Sequence, residues 1–142
     1  MSLITLLLIQ TLENKATEKL KDYFKIEIYD KKKEYKLEDY KGIIIQGDED
    51  ITNVQSESLK DLIFSAFRLK KPVVAMDCGP VVLAELGFLV GKCATVNTEY
   101  ISLIHDKGAI VFDETIVIDK NLITTSFKIP ETELMETIKK KI

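Results

Sequence analysis

The sequence predicts an α/β protein: a three-layer α/β/α, doubly wound and mostly parallel sheet that closes with a C-terminal hairpin and a final helix, in one domain over residues 1–142. Three observations lead there. Short runs such as "LITLLLI", "GIIIQGD" and "KPVVAM" are almost continuously apolar, which suits strands buried on both faces rather than one. The stretches between them carry apolar residues at helical spacing. Strand-like and helix-like segments also alternate, as a parallel sheet with crossover helices requires.

Taken in order, residues 3–9 read as a first, central strand. Residues 14–24, "NKATEKLKDYF", place Ala16, Leu20, Tyr23 and Phe24 at helical spacing behind Asn14 as N-cap. "KIEIY" (25–29) alternates with period two and reads as a strand, and the charged "DKKKEYKLEDY" (30–40) as a surface excursion. "GIIIQGD" (42–48) is a buried strand. Residues 54–69 form a helix with Leu59, Leu62, Ile63, Ala66 and Phe67 on one face, and "KPVVAM" (71–76) is the next strand. A helix follows Pro80 to the neighbourhood of Phe88, where Gly87 and Gly91 close it. "CATV" (93–96) is a short strand and "EYISLIHDKG" a helix ending at Gly108. Residues 109–126 hold three short strands, with Asp119-Lys120-Asn121 as a tight hairpin turn. Pro130 opens a terminal helix with Leu134, Ile138 and Ile142 at helical spacing and lysines in its last turn.

Composition narrows the function classes. With 46% hydrophobic and 30% charged residues, the chain is expected to be soluble and globular. The net charge of −3 and a single arginine, Arg68, argue against a nucleic-acid partner, because lysine lacks the planar fork that phosphate and base edges favour. The apolar start has no basic leader and is too short to span a bilayer, so no membrane partner is expected. Two cysteines, Cys78 and Cys93, are too few for a disulfide framework, which points to a reducing, cytoplasmic setting.

The informative stretch is "PVVAMDCGPVVLAEL" (72–86). A buried strand ends at Asp77-Cys78-Gly79-Pro80 and a helix begins at once. Such a turn pushes one side chain out over the carboxyl edge of the sheet, where doubly wound folds bind ligands. Gly79 allows close approach, and Pro80 suits a helix start. "QGDED" (46–50) lies at the same edge. A plainer role is open to each residue: Asp77 as an N-cap, Cys78 as a small core hydrophobe, Asp48 to Asp50 as a solvated loop.

The order and spacing of "KPVVAMDCGPVVLAELGFLVGKCATV", then "GAIVFDETIVIDKNLITTS", resemble the ThiJ/PfpI superfamily, the group of intracellular protease I and the Parkinson-associated deglycase. The likeness is specific over residues 42–142 and only one of pattern over 1–41. It implies the class I glutamine amidotransferase-like, flavodoxin-like fold, peptidase, glyoxalase or deglycase activity without a cofactor, and a homo-oligomer, dimer or larger. The departures matter as much. The family's nucleophilic cysteine falls on Asp77, and Cys78 occupies the next position. Where the family has Pro-Gly-Gly, with amides that help form an oxyanion hole, this chain keeps Gly47 but has Asp48 in place of the second glycine. The family's strand-end glutamate, which hydrogen-bonds the cysteine, has Glu13 as its nearest counterpart. The lone histidine, His105, matches no family base.

The expectation is therefore a short, divergent member that lacks the elbow cysteine, has lost the family's thiol-based activity, and acts as a binding or oligomeric protein with a small-molecule ligand at the strand edge. The candidate pocket residues are Asp77, Cys78 and Glu13, with Gly47, Asp48 and Gly79 supplying backbone; no metal is assigned. Three alternatives stay open: a hydrolase or lyase using Asp77 as the attacking group, family activity through Cys78, and a Mg²⁺ or Ca²⁺ site built from Asp77, Glu13 and Asp48 or Asp50.

Overall fold

Apolar strands too short to stand alone must pair. In the computed structural model, which describes residues 5–10, 21–30, 32–47, 57–126 and 129–141, six of them do so in one sheet. The strands are β1 (Thr5–Gln10), β2 (Lys25–Ile28), β3 (Gly42–Gly47), β4 (Val73–Asp77), β5 (Cys93–Ala94), β6 (Ile110–Val111), β7 (Ile116–Asp119) and β8 (Leu122–Thr125). The main sheet runs β2-β1-β3-β4-β8-β7 and is parallel except for β7, which pairs antiparallel with β8. The β5 and β6 strands form a separate parallel pair. The helices are α1 (Glu57–Arg68), α2 (Gly79–Glu85), α3 (Ile101–Asp106) and α4 (Glu131–Lys141).

Alternation along the strands sorts the core into two faces. Ile43, Ile45, Val73, Ala75 and Leu122 share one hydrophobic cluster with Leu59, Ile63 and Ala66 of α1, Val82 and Leu83 of α2, and Ile104 of α3. Ile44, Val74, Met76 and Ile123 point the other way, onto Phe24 and onto Leu134, Met135 and Ile138 of α4. Because each central strand is covered on both sides, its sequence is continuously apolar, and the three layers follow. Burying each Leu or Ile of α4 contributes roughly 1.5–3 kcal/mol.

Helix ends are set by local chemistry. The α2 helix stops at Glu85, three residues short of the sequence reading, because Gly87 (φ +85°) turns left-handed. There the Phe88 amide donates to Leu83 O and the Gly87 amide to Ala84 O, the paired bonds that satisfy a helix C-terminus. Gly108 (φ +98°) does the same for α3, as predicted. After α1 the left-handed position holds Lys70 (φ +57°), with Lys71 N donating to Ala66 O and Lys70 N to Phe67 O. Pro130 is not the first helical residue of α4; its carbonyl accepts from Leu134 N, so it caps the helix from one position earlier. The predicted hairpin turn is present between Asp119 and Leu122, with Lys120 at φ +56°. Of the helix expected over 14–24, residues 21–23 are helical; Asn14, Ala16 and Leu20 lie outside the described residues, as do 54–56 and Ile142.

The excursion at 30–40 is anchored rather than free. Leu37 and Tyr40 are buried, and the Tyr40 hydroxyl donates to Glu27 Oε2. Burial, reinforced by the neighbouring Glu27 carboxylate, pushes the Tyr40 phenol well above its ordinary pKa. Among the described residues, no helix is long and apolar enough to cross a membrane.

Candidate functional site

The β3 and β4 strands run side by side with Gly47 level with Asp77 and Gln46 level with Met76. Asp77 is the last residue of β4 and has φ +56°. For a residue with a Cβ this left-handed conformation is uncommon, although Asp tolerates it better than most. It bends the chain sharply from strand into α2. The "PVVAMDCGP" stretch thus forms the strand-to-helix elbow that its sequence suggested, with Asp77 at the bend.

Gly79 makes the bend possible. A Cβ at this position would lie 2.2 Å from the carbonyl oxygen of Ile45 and 3.2 Å from Ala75 Cβ. The helix therefore begins with its backbone pressed against β3, a contact that only glycine permits. Pro80 follows in the first turn, where its missing N–H is no loss. The amides of Val81 and Val82 both donate to Cys78 O. The Val81 and Val82 N–H groups are thus spent within the turn, and Pro80 has none.

Asp77 is half-buried, and Gln46, only 3% exposed, donates from Nε2 to Asp77 Oδ2 at 2.6 Å. The amide fixes one carboxylate oxygen and so the rotamer. Cys78, the N-cap of α2, is only 4% exposed and belongs to the buried apolar residues. A cysteine so buried behaves as a small hydrophobe rather than as a nucleophile. Cys93 is partly exposed on β5, and neither thiol is in a disulfide. His105 is a surface residue in the last turn of α3, 3.7 Å from the carboxylate of its neighbour Asp106.

The structure thus brings Asp77, Cys78, Gly79 and Gly47 to one edge. Glu13, Asp48 and Asp50 lie outside the described residues, and with them the expected counterpart of the family glutamate and the oxygen set for a divalent cation. Gln46 is the residue that sequence reasoning missed. Its signal was present: one amide ends an otherwise apolar strand, "GIIIQG", and a buried amide needs a polar partner.

This architecture, a doubly wound sheet with a strained elbow at the end of a central strand, defines a class, and comparison with known proteins gives the family. The DJ-1/PfpI family profile matches residues 5–141, and the chain belongs to that family. It is 38% identical over 93 residues to an uncharacterized protein of Methanocaldococcus jannaschii; the match takes in 61% of this chain and 44% of that protein, so the chain spans less than half of that relative's length. Among solved structures, a ThiJ/PfpI domain protein of Brachyspira murdochii superposes with a TM-score of 0.80 at 14% identity, covering 96% of this chain and 95% of the other. Drosophila melanogaster DJ-1beta gives 0.72 at 18% identity, covering 99% and 89%. At these identities the structural likeness is one of fold, and it agrees with the three-layer, glutamine amidotransferase-like architecture expected from the sequence.

Proposed function

We propose that this chain is a DJ-1/PfpI protein without the family's thiol-based hydrolase or deglycase activity, and that it serves as a binding protein, assembled as a homo-oligomer in a reducing cytoplasm. One observation carries the reading. The bend of the elbow holds a carboxylate clamped by Gln46, while the neighbouring Cys78 is only 4% exposed. Thiol catalysis needs an exposed, activated thiolate. A thiol that is 4% exposed does not meet the first of these conditions. A carboxylate at the bend also places negative charge where acyl transfer would develop an oxyanion, which opposes that chemistry.

The test is turnover. Peptidase, glyoxalase and deglycase substrates should give no rate above that of an Asp77→Ala control. Robust turnover that disappears in Asp77→Ala would overturn the proposal.

A second reading has one observation in its favour: the left-handed elbow that presents Asp77. Here the Asp77 carboxylate attacks an electrophilic carbon, displaces a leaving group and forms an ester, which water must then cleave. The hydrolytic step needs a base, and the Gln46 amide cannot act as one. Intact-mass spectrometry after incubation with substrate decides the matter, since this route requires a covalent adduct on Asp77.

A further inference from the structure

The small parallel pair of β5 and β6 has one open edge. Ile110 N donates to Lys92 O at 2.8 Å and Phe112 N to Ala94 O at 2.9 Å, so residues 110 and 112 turn their N–H groups toward β5. Backbone direction alternates along a strand, so the N–H and C=O of Val111 point the other way. Among the described residues neither group meets a hydrogen-bond partner. The side chains flanking Val111 are as open as its backbone: Ile110 is 50% exposed and Phe112 46%.

Sheet edges are ordinarily guarded by charge, proline or a bulge, because an unpaired edge recruits another strand. The edge strand β2 of the main sheet follows that rule, with Lys25 and Glu27 interrupting its apolar residues. The stretch 109–112, "AIVF", carries no charge, proline or glycine. A ribbon of two residues per strand also gains little stability from its own pairing. An apolar, unguarded edge on so short a ribbon favours continuation by a further strand.

The residue pattern fits a second copy of the same strand, run antiparallel about a twofold axis at Val111. In that register Val111 faces Val111 of the second copy, and each N–H donates to the other's C=O. Ile110 then stands opposite Phe112 of the second copy, and Phe112 opposite Ile110 of the second copy. An aromatic ring against a β-branched side chain is a favourable cross-strand pair. Charge fixes the direction. Lys107 precedes the strand, and the exposed Asp113 and Glu114 follow it. Antiparallel pairing sets Glu114 of the second copy opposite Gly108, one residue from Lys107, whose side chain is 48% exposed beside Glu85. An in-register parallel pair would instead stack each of these charges on its own copy, which is unfavourable. We propose that β6 is the contact between two copies of this chain, joined edge to edge into a continuous β5-β6-β6-β5 sheet. The proposal rests on the homo-oligomer reading above and names its interface. The strand supplies few residues beside the roughly 20–30 a side of a standard interface, so association in the micromolar range is expected.

Sedimentation velocity of the full chain, from about 1 µM to about 200 µM, measures the association, and hydrogen exchange read by mass spectrometry locates it. The expected result is a reversible monomer–dimer equilibrium, with peptides spanning 109–114 exchanging more slowly as the dimer fills. Val111→Pro removes the outward N–H and keeps the bonds of residues 110 and 112 to β5, since proline is tolerated at an open edge. It should weaken dimerisation roughly tenfold or more. Ile110→Lys changes an exposed side chain, should fold normally by circular dichroism, and should weaken dimerisation as strongly. Ile28→Lys, on the β2 edge, should leave it unchanged. A monomer at every concentration would overturn this contact and the homo-oligomer reading together. A dimer that Val111→Pro and Ile110→Lys leave intact, or that Ile28→Lys breaks, would overturn the contact alone. Protection of 109–114 that does not depend on concentration would assign the edge to a segment of the same chain and overturn the contact as well.

Discussion

Replacing Asp77 by alanine and by glycine tests the elbow through an inverted stability order. Both changes remove the hydrogen bond from Gln46 Nε2, 2.6 Å long and made to a carboxylate. A bond of that kind contributes about 1.5–3 kcal/mol. The two variants differ in backbone. At φ +56° an alanine Cβ crowds the following carbonyl, at a cost of about 1–2 kcal/mol relative to glycine. Glycine gives part of that back by loosening the unfolded chain, by roughly 0.4–1 kcal/mol. Asp77→Ala should therefore be destabilised by about 2–4 kcal/mol, and Asp77→Gly by about 1 kcal/mol less. The difference corresponds to a Tm gap of roughly 3–4 °C in a chain of this size. Urea unfolding read by circular dichroism measures both. At most helix and strand positions alanine is the more stable of the two, so finding Asp77→Ala equal to or more stable than Asp77→Gly would refute the left-handed elbow.

Three further changes probe the surrounding geometry. Gly79→Ala places a methyl 2.2 Å from the Ile45 carbonyl oxygen, so β3 and α2 must move apart; a loss of at least about 1–3 kcal/mol in chemical denaturation is expected, and a neutral result would contradict the contact. Lys70→Gly relieves a left-handed lysine after α1 and should raise stability by up to about 1 kcal/mol, seen as a higher denaturation midpoint at unchanged m. Tyr40→Phe bears on pH. Because the folded phenol titrates above its unfolded value near 10, its contribution is complete below pH 10 and is lost as pH rises through the folded value, with a slope of about 1.4 kcal/mol per pH unit from this group. Stability curves of the wild type and Tyr40→Phe should differ by a constant below pH 9 and converge above pH 10; a constant offset throughout would remove the buried phenol from the account.

The fold was legible because burial on both faces writes itself into the strands. "GIIIQG" and "KPVVAM" carry no alternation, since Ile43 and Ile45 face α1 and α2 while Ile44 faces α4. Helix ends were read less well. Gly87 closes α2 at once, whereas the apolar Leu86 and Phe88 continue the helical pattern past the true end and pack on the core from a turn. At the site, the positions of Asp77 and Cys78 could be read relative to Gly79-Pro80 from the fixed spacing; in the structure Asp77 has φ +56° at the bend and Cys78 is buried. The partner of the Gln46 amide could not be read. It depends on a contact between residues far apart in the chain, Gln46 with Asp77 across β3 and β4. No local pattern records such a meeting.

The central claim is that the elbow no longer presents a thiol, and thiol labelling of the native protein tests it most directly. Iodoacetamide followed by peptide mass mapping reports Cys78 and Cys93 separately, and Asp77→Cys adds a thiol at the bend. The account predicts that Cys93, partly exposed, labels readily, that Cys78 labels only as fast as the protein opens, and that the new thiol in Asp77→Cys labels far faster than Cys78. Rapid labelling of Cys78 in the native wild type, or an unreactive thiol in Asp77→Cys, would contradict it.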